Sequence, residues 1–282
     1  MNQVGRLQKL FENRSEGQKI MSLFITAGFP EPQSTVRLVQ ELEVSGADII
    51  ELGMPFSDPL ADGPTVQYAS KIALENGVHL DSIFQMVSQI RRNSEIPIVL
   101  MGYINPVLRY GLEAFFYKAS ETGVDGVILP DVPPGELPEV EDLCIKYGLD
   151  PVHLVAPNTS EKRMREIDQA SRGFVYCVSV TGVTGARDGL EISRSVEKFI
   201  SRVRKNVTRN PVLIGFGIRT HQDATLISEE AEGFIVGSAL IDFIRNTYPD
   251  PDWIKKTGQF ARELKTGLRN GSESRGKRSG TS

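Results

Sequence analysis

Eight short runs rich in Val, Ile and Leu recur along the chain, each followed by a stretch with helical spacing, and this alternation restricts the fold most. The runs are Met21–Ala27, Asp48–Glu51, Ile96–Met101, Val124–Leu129, Pro151–Val155, Gly173–Val178, Pro211–Gly215 and Glu232–Val236. They are continuously apolar rather than alternating, which is the texture of parallel strands covered by helices. Helical patterns fall at Val36–Val44, from Thr65, near 111–121, 135–147, 160–170 and 191–204, from about His221, and on to about Leu268. Eight βα units in roughly 250 residues is the arithmetic of a (β/α)8 TIM barrel. An open doubly wound sheet is the alternative. Leu7, Leu10 and Phe11 add a short amphipathic helix at the N-terminus. Residues 1–268 are therefore expected to form a single barrel domain. Residues 269–282, polar throughout, are expected to be a disordered tail.

Composition narrows the function classes. The 282 residues are 40% hydrophobic and 24% charged with a formal net charge of −4, a balance that favours neither nucleic acid nor an anionic membrane. Cys144 and Cys177 stand in unrelated contexts without metal-type spacing, so no metal site is expected and both thiols are expected to be buried or inert. No apolar run reaches the roughly 18 residues of a membrane span. The first residues lack an apolar signal core. A cytoplasmic location follows as an expectation.

In a barrel of this kind the active site lies at the C-terminal ends of the strands. Three late exits, Thr181–Gly185, Gly215–Gly217 and Gly237–Ser238, are rich in glycine and almost free of charge. Gly237-Ser238 stands where a helix begins, and bare N–H groups with the positive end of a helix dipole suit an anion. Each glycine alone serves equally well for a tight turn. Three in neighbouring exits favour a ligand carrying a terminal phosphate.

The exit of the second run is Glu51-Leu-Gly-Met-Pro-Phe-Ser-Asp-Pro-Leu-Ala-Asp-Gly-Pro64. Its prolines make it shaped rather than floppy. Strand alternation puts Ile49 and Glu51 on one face and Ile50 and Leu52 on the other. If the latter pack on helices, Glu51 points into the barrel mouth, where apolar surroundings raise its pKa toward the range useful to an acid/base. A salt-bridged structural glutamate is the competing reading. Asp62, two residues before Pro64, is placed for a helix N-cap as well as for a pocket. Asp58, before a proline, reads as a turn former or surface contact. Phe24, Met101, Tyr103, Ile128, Leu154, Tyr176 and Phe216 fall near strand exits, where they are placed to form an apolar slot for a flat ring system.

With these residues assembled, the chain resembles the tryptophan synthase alpha-subunit family from about residue 5 to 268. The loop from Glu51 to Pro64 carries the resemblance most specifically. Leu129-Pro-Asp-Val-Pro133, Ser179-Val-Thr-Gly-Val-Thr-Gly-Ala186, Gly215-Phe-Gly-Ile218 and Val236-Gly-Ser-Ala239 complete it. The resemblance implies retro-aldol cleavage of indole-3-glycerol phosphate to indole and glyceraldehyde 3-phosphate. It implies Glu51 as the acid/base and Asp62 as the partner of the indole N–H. Gly185, Gly217, Gly237 and Ser238 would bind the phosphate. Phe24, Met101, Tyr103, Ile128, Tyr176 and Phe216 would line the indole slot, with Thr184 on a closing loop. The family works as an alpha2beta2 heterotetramer, so a beta subunit carrying pyridoxal phosphate is the implied partner. This chain would hold no cofactor of its own, and Pro55 and Asp58 would face that partner. Met54 stands where a branched aliphatic is usual. A stand-alone indole-releasing lyase and a non-catalytic regulatory subunit are the rival readings.

Overall fold

The computed structural model describes residues 5–178, 189–215 and 217–266. Thr184, Gly185, Phe216 and the expected tail from Arg269 lie outside them.

The strands are β1 (Ile20–Thr26), β2 (Ile49–Gly53), β3 (Ile98–Met101), β4 (Gly126–Ile128), β5 (Asp150–Pro151), β6 (Leu154–Val155), β7 (Val175–Val178), β8 (Val212–Gly215) and β9 (Gly233–Val236). All pair in parallel in the order β5-β4-β3-β2-β1-β9-β8-β7-β6. The two ends of that order are halves of one stretch. Val152 N–H donates to Val127 on the β4 side, and the His153 carbonyl accepts from Tyr176 on the β7 side. The expected fifth strand, Pro151–Val155, is thus divided between its neighbours, and the division closes the barrel.

Two apolar layers hold the ring. Ile20, Ile49, Val99, Ile128, Val152, Phe174, Leu213 and Ile235 meet inside it. The alternate residues, among them Leu23, Ile50, Leu52, Ile98, Leu100 and Val127, pack outward against helices. Both faces of each strand are buried, which is why the runs read as continuously apolar. The N-terminal helix Arg6–Glu12 closes the floor by burying Leu7 in the interior cluster. Arg6 then reaches Asp125, which also takes Arg91 at 2.6 Å and the Ile98 N–H at 2.8 Å. That carboxylate is 6% exposed, and its ion partners and backbone donor offset the cost of burying it.

Two helical expectations change. The sequence reading places no helix between the one at Thr65 and the strand at Ile96, yet Pro64–Glu75 is followed by a second helix, Leu80–Ile90. Its buried Ile83, Met86, Val87 and Ile90 keep the i, i+3, i+4, i+7 spacing of an amphipathic face. The helix expected near 111–121 is likewise a pair, Ile104–Tyr110 and Leu112–Thr122, hinged at Gly111 with φ +100°. No helix of the described residues is long and apolar enough to cross a membrane.

Candidate active site

The inward face of β2 presents Ile49, Glu51 and Gly53 in succession toward the mouth. Phe24 stands opposite Glu51 in the register, and Thr26 opposite Gly53. The Phe24 ring lies across Gly53, where a Cβ would sit 2.6 Å from its Cζ, so the strand exit admits no side chain there. Tyr176 covers Gly215 in the same way, 2.7 Å from the position of a Cβ. Glycine at these two exits is what lets two aromatic rings lie flat against the barrel wall.

Glu51 is 0% exposed. Its Oε1 accepts a 2.7 Å hydrogen bond from Ser22 Oγ on β1, and its Oε2 has no partner among the described residues. Its pKa is pushed up to about 7 by burial, against which the Ser22 bond acts in the lowering direction. No cation among the described residues pairs with it, which removes the salt-bridge reading. A carboxyl poised at neutral pH with one oxygen uncommitted is equipped to take a proton and to return it.

Asp62 lies on the loop above. The helix Pro64–Glu75 has Gly63 at its N-cap and no side-chain cap bond, so Asp62 is not a cap. Burial raises its pKa to about 6, and a hydrogen bond from the Tyr103 hydroxyl opposes the rise. That hydroxyl also accepts the Ala61 N–H at 3.0 Å, and the Tyr103 ring packs on Phe56 with centroids 5.4 Å apart. Tyr103, expected only as a wall residue, therefore clamps the loop over the mouth. Tyr176 feels the charge of both Glu51 and Asp62, which raises its pKa further above the value burial gives it. Tyr176 thus stands within electrostatic reach of both carboxylates.

Phe24, Asp62, Met101 and Tyr103 line a single cleft together with Thr26 and Gly53. Ile128 is fully buried in the interior layer, where Met101 and Tyr176 pack against it, so it forms floor rather than wall. Ser22 is a site residue that the sequence did not single out, whereas Thr26 stands at one of its polar strand exits. Each interrupts an apolar run at an inward position, and that parity is the signal that marks them.

Across the mouth, Gly217 takes φ +56°. Gly237 is the N-cap of the helix Ser238–Thr247, and no side chain caps that end. Thr65 Oγ1 to Asp242 at 3.1 Å and Arg245 over the Tyr68 ring at 4.1 Å fix this helix against Pro64–Glu75. The amide end and the acidic loop are thereby held on one frame. On the outer rim Asp58 is exposed and Leu60 is 95% exposed, whereas Pro55 is buried. Among the described residues no cluster of three or more His, Cys, Asp or Glu side chains is placed to hold a metal ion.

Comparison with known proteins gives a consistent answer. The sequence model of one family, described as tryptophan synthase alpha chain, matches residues 10–269. A tryptophan synthase alpha chain from Geobacter sulfurreducens is 47% identical over 230 residues, covering 82% of this chain and 86% of the relative. A crystal structure of the alpha subunit from Legionella pneumophila superposes with a TM-score of 0.84 at 38% identity, covering 94% of this chain and all of that one. A chain of tryptophan synthase from M. tuberculosis gives 0.82 at 33% identity, covering 95% and 100%.

Proposed function

Because the chain belongs to the tryptophan synthase alpha chain family, we propose that the mouth just described cleaves indole-3-glycerol phosphate into indole and glyceraldehyde 3-phosphate, with Glu51 and Asp62 as its working carboxylates. The enzyme is a lyase, and the reaction is a retro-aldol step in tryptophan biosynthesis. The bond between indole C3 and the glycerol chain breaks only after C3 is protonated, which turns the ring into an electron sink. The hydroxyl on the adjacent glycerol carbon loses its proton as that carbon becomes the aldehyde. Glu51 serves these transfers, and the observation that carries the assignment is its fully buried carboxyl with a pKa near 7 and one unpartnered oxygen. Asp62 accepts the indole N–H and stabilises the positive charge that spreads over the protonated ring. Fixing both groups on the barrel frame spares their reorganisation during the reaction.

Phe24, Met101 and Tyr103 bound the ring slot, with Ile128 and Tyr176 beneath. Gly217, Gly237 and Ser238 receive the phosphate through backbone N–H groups and the helix dipole. Gly185 belongs to the same phosphate reading, and Thr184 and Phe216 to the loop and the slot.

An alpha chain implies a beta subunit. We assign its docking face to the outer rim, where Asp58 and the nearly fully exposed Leu60 sit on the loop that carries Asp62. Pyridoxal phosphate belongs to the beta subunit, and the assembly is an alpha2beta2 tetramer that passes indole between sites. Indole release by the purified chain, measured with and without a beta subunit, tests this. Strong activation is expected. Full activity alone would make the chain a free-standing indole-releasing lyase, and none in either case would make it a regulatory subunit.

A further inference from the structure

The strand β1 is apolar on its inward face at Ile20 and Phe24, and between them stands Ser22. Ser22 and Glu51 are both 0% exposed, and the Ser22 hydroxyl donates to Glu51 Oε1 at 2.7 Å. Around this pair lie Ile49, Val99 and Ile235, none with a side chain able to hydrogen-bond. We infer that Ser22 is a positioning residue for the lyase reaction, fixing the Glu51 carboxyl by one oxygen so that the other is held toward the substrate. The inference rests on Glu51 being the acid/base.

A hydroxyl suits this task because it donates and accepts. Toward ionised Glu51 it donates. When Glu51 carries a proton, the same rotor either keeps donating to the carbonyl oxygen or turns to accept from the acid O–H. The contact therefore survives both halves of a cycle in which Glu51 takes and returns a proton. Alanine would leave the carboxyl in an apolar shell with no described partner, free to change rotamer. It would also remove the bond that holds the charged form down in pKa. The other titratable groups facing the mouth are Asp62 and Tyr103 at the loop and Tyr176 on β7. All three remain in the variant.

The test is Ser22→Ala in the full chain, assayed for indole release across pH beside Glu51→Gln. For Ser22→Ala, kcat is expected to fall by about tenfold, the scale of a lost hydrogen bond to a charged group. KM is expected to stay within about twofold, since the residue does not reach substrate. The acid limb of kcat/KM is expected to move to higher pH, because the charged base has lost a donor. A change of packing alone would not move that limb. A folded Ser22→Ala enzyme with wild-type kcat and an unmoved limb overturns the inference. Should the alanine variant fail to fold, Ser22→Val removes the donor while filling the apolar shell, and wild-type kcat with an unmoved limb there overturns it equally. Wild-type turnover in Glu51→Gln sinks the acid/base reading itself, a result distinguishable from failure of Ser22 alone.

Discussion

The two ends of the mouth are built from different materials. At the acidic end the groups assigned to the chemistry are side chains, Glu51 and Asp62, each moved off its ordinary pKa by burial. At the opposite end, Gly217 and Gly237 offer backbone and no side chain, and the helix Ser238–Thr247 has no acidic residue in its first turn. The difference teaches how each end can fail. An end made of titratable side chains is lost by exchanging one atom. An end made of amides and a helix dipole is lost only by adding bulk or charge.

The largest effect should come from the acidic end. Glu51→Gln is expected to lower kcat for indole release by roughly 10²–10⁴-fold, the usual scale for a removed acid/base. Its fold, read by circular dichroism, should be unchanged. Gly237→Asp probes the other end. A Cβ there meets Phe24 Cβ at 3.6 Å, an ordinary contact, so the new charge rather than a clash at Cβ is what the variant tests. KM is expected to rise by about tenfold or more through repulsion of the phosphate, with kcat falling much less. Unchanged KM would move the phosphate elsewhere and dissolve the contrast.

The smallest effect is thermodynamic. Glu51 holds its proton more tightly in the folded state, with a pKa raised from 4.5 to about 7. Burying it costs nothing below pH 4.5, where both states are protonated. The cost grows as pH rises through that window and is complete above 7. Wild type should therefore lose up to about 3 kcal/mol relative to Glu51→Gln between pH 4.5 and 8. Denaturant melts of both proteins at several pH values would read the difference, and parallel curves would mean the carboxyl is solvated.

Most of the barrel was legible because both faces of its strands are apolar, a pattern that survives in one dimension. The helix Leu80–Ile90 is regular in spacing but less legible, since Pro64–Glu75 already completes a βα unit between the same two strands and the eightfold count requires no second helix. The split at Val152 and His153 leaves no mark in an apolar run, because it is decided by which neighbour each half bonds. The inward position of Glu51 was legible from alternation alone. Asp62 was not, because a carboxylate before a helix proline has the same appearance as a cap, and only Gly63 at the N-cap separates the two. The clamp by Tyr103 joins positions more than forty apart in the chain, beyond the reach of local pattern.

The divided fifth strand has a consequence for how the molecule breathes. β5 bonds only β4 and β6 only β7, through two residues each. The outer packing divides near the same place. Val127 and Leu149 belong to the large cluster, while Val155, Val175 and Cys177 belong to a separate one with Met164, Phe199 and Ile214. Residues 150–155 thus run from one outer cluster to the other, while the interior layer, through Ile128, Val152 and Phe174, spans the join. The ring is closed, but it is closed with a clasp, and amide hydrogens near it are expected to exchange faster than those of β1 and β2 when followed by hydrogen exchange.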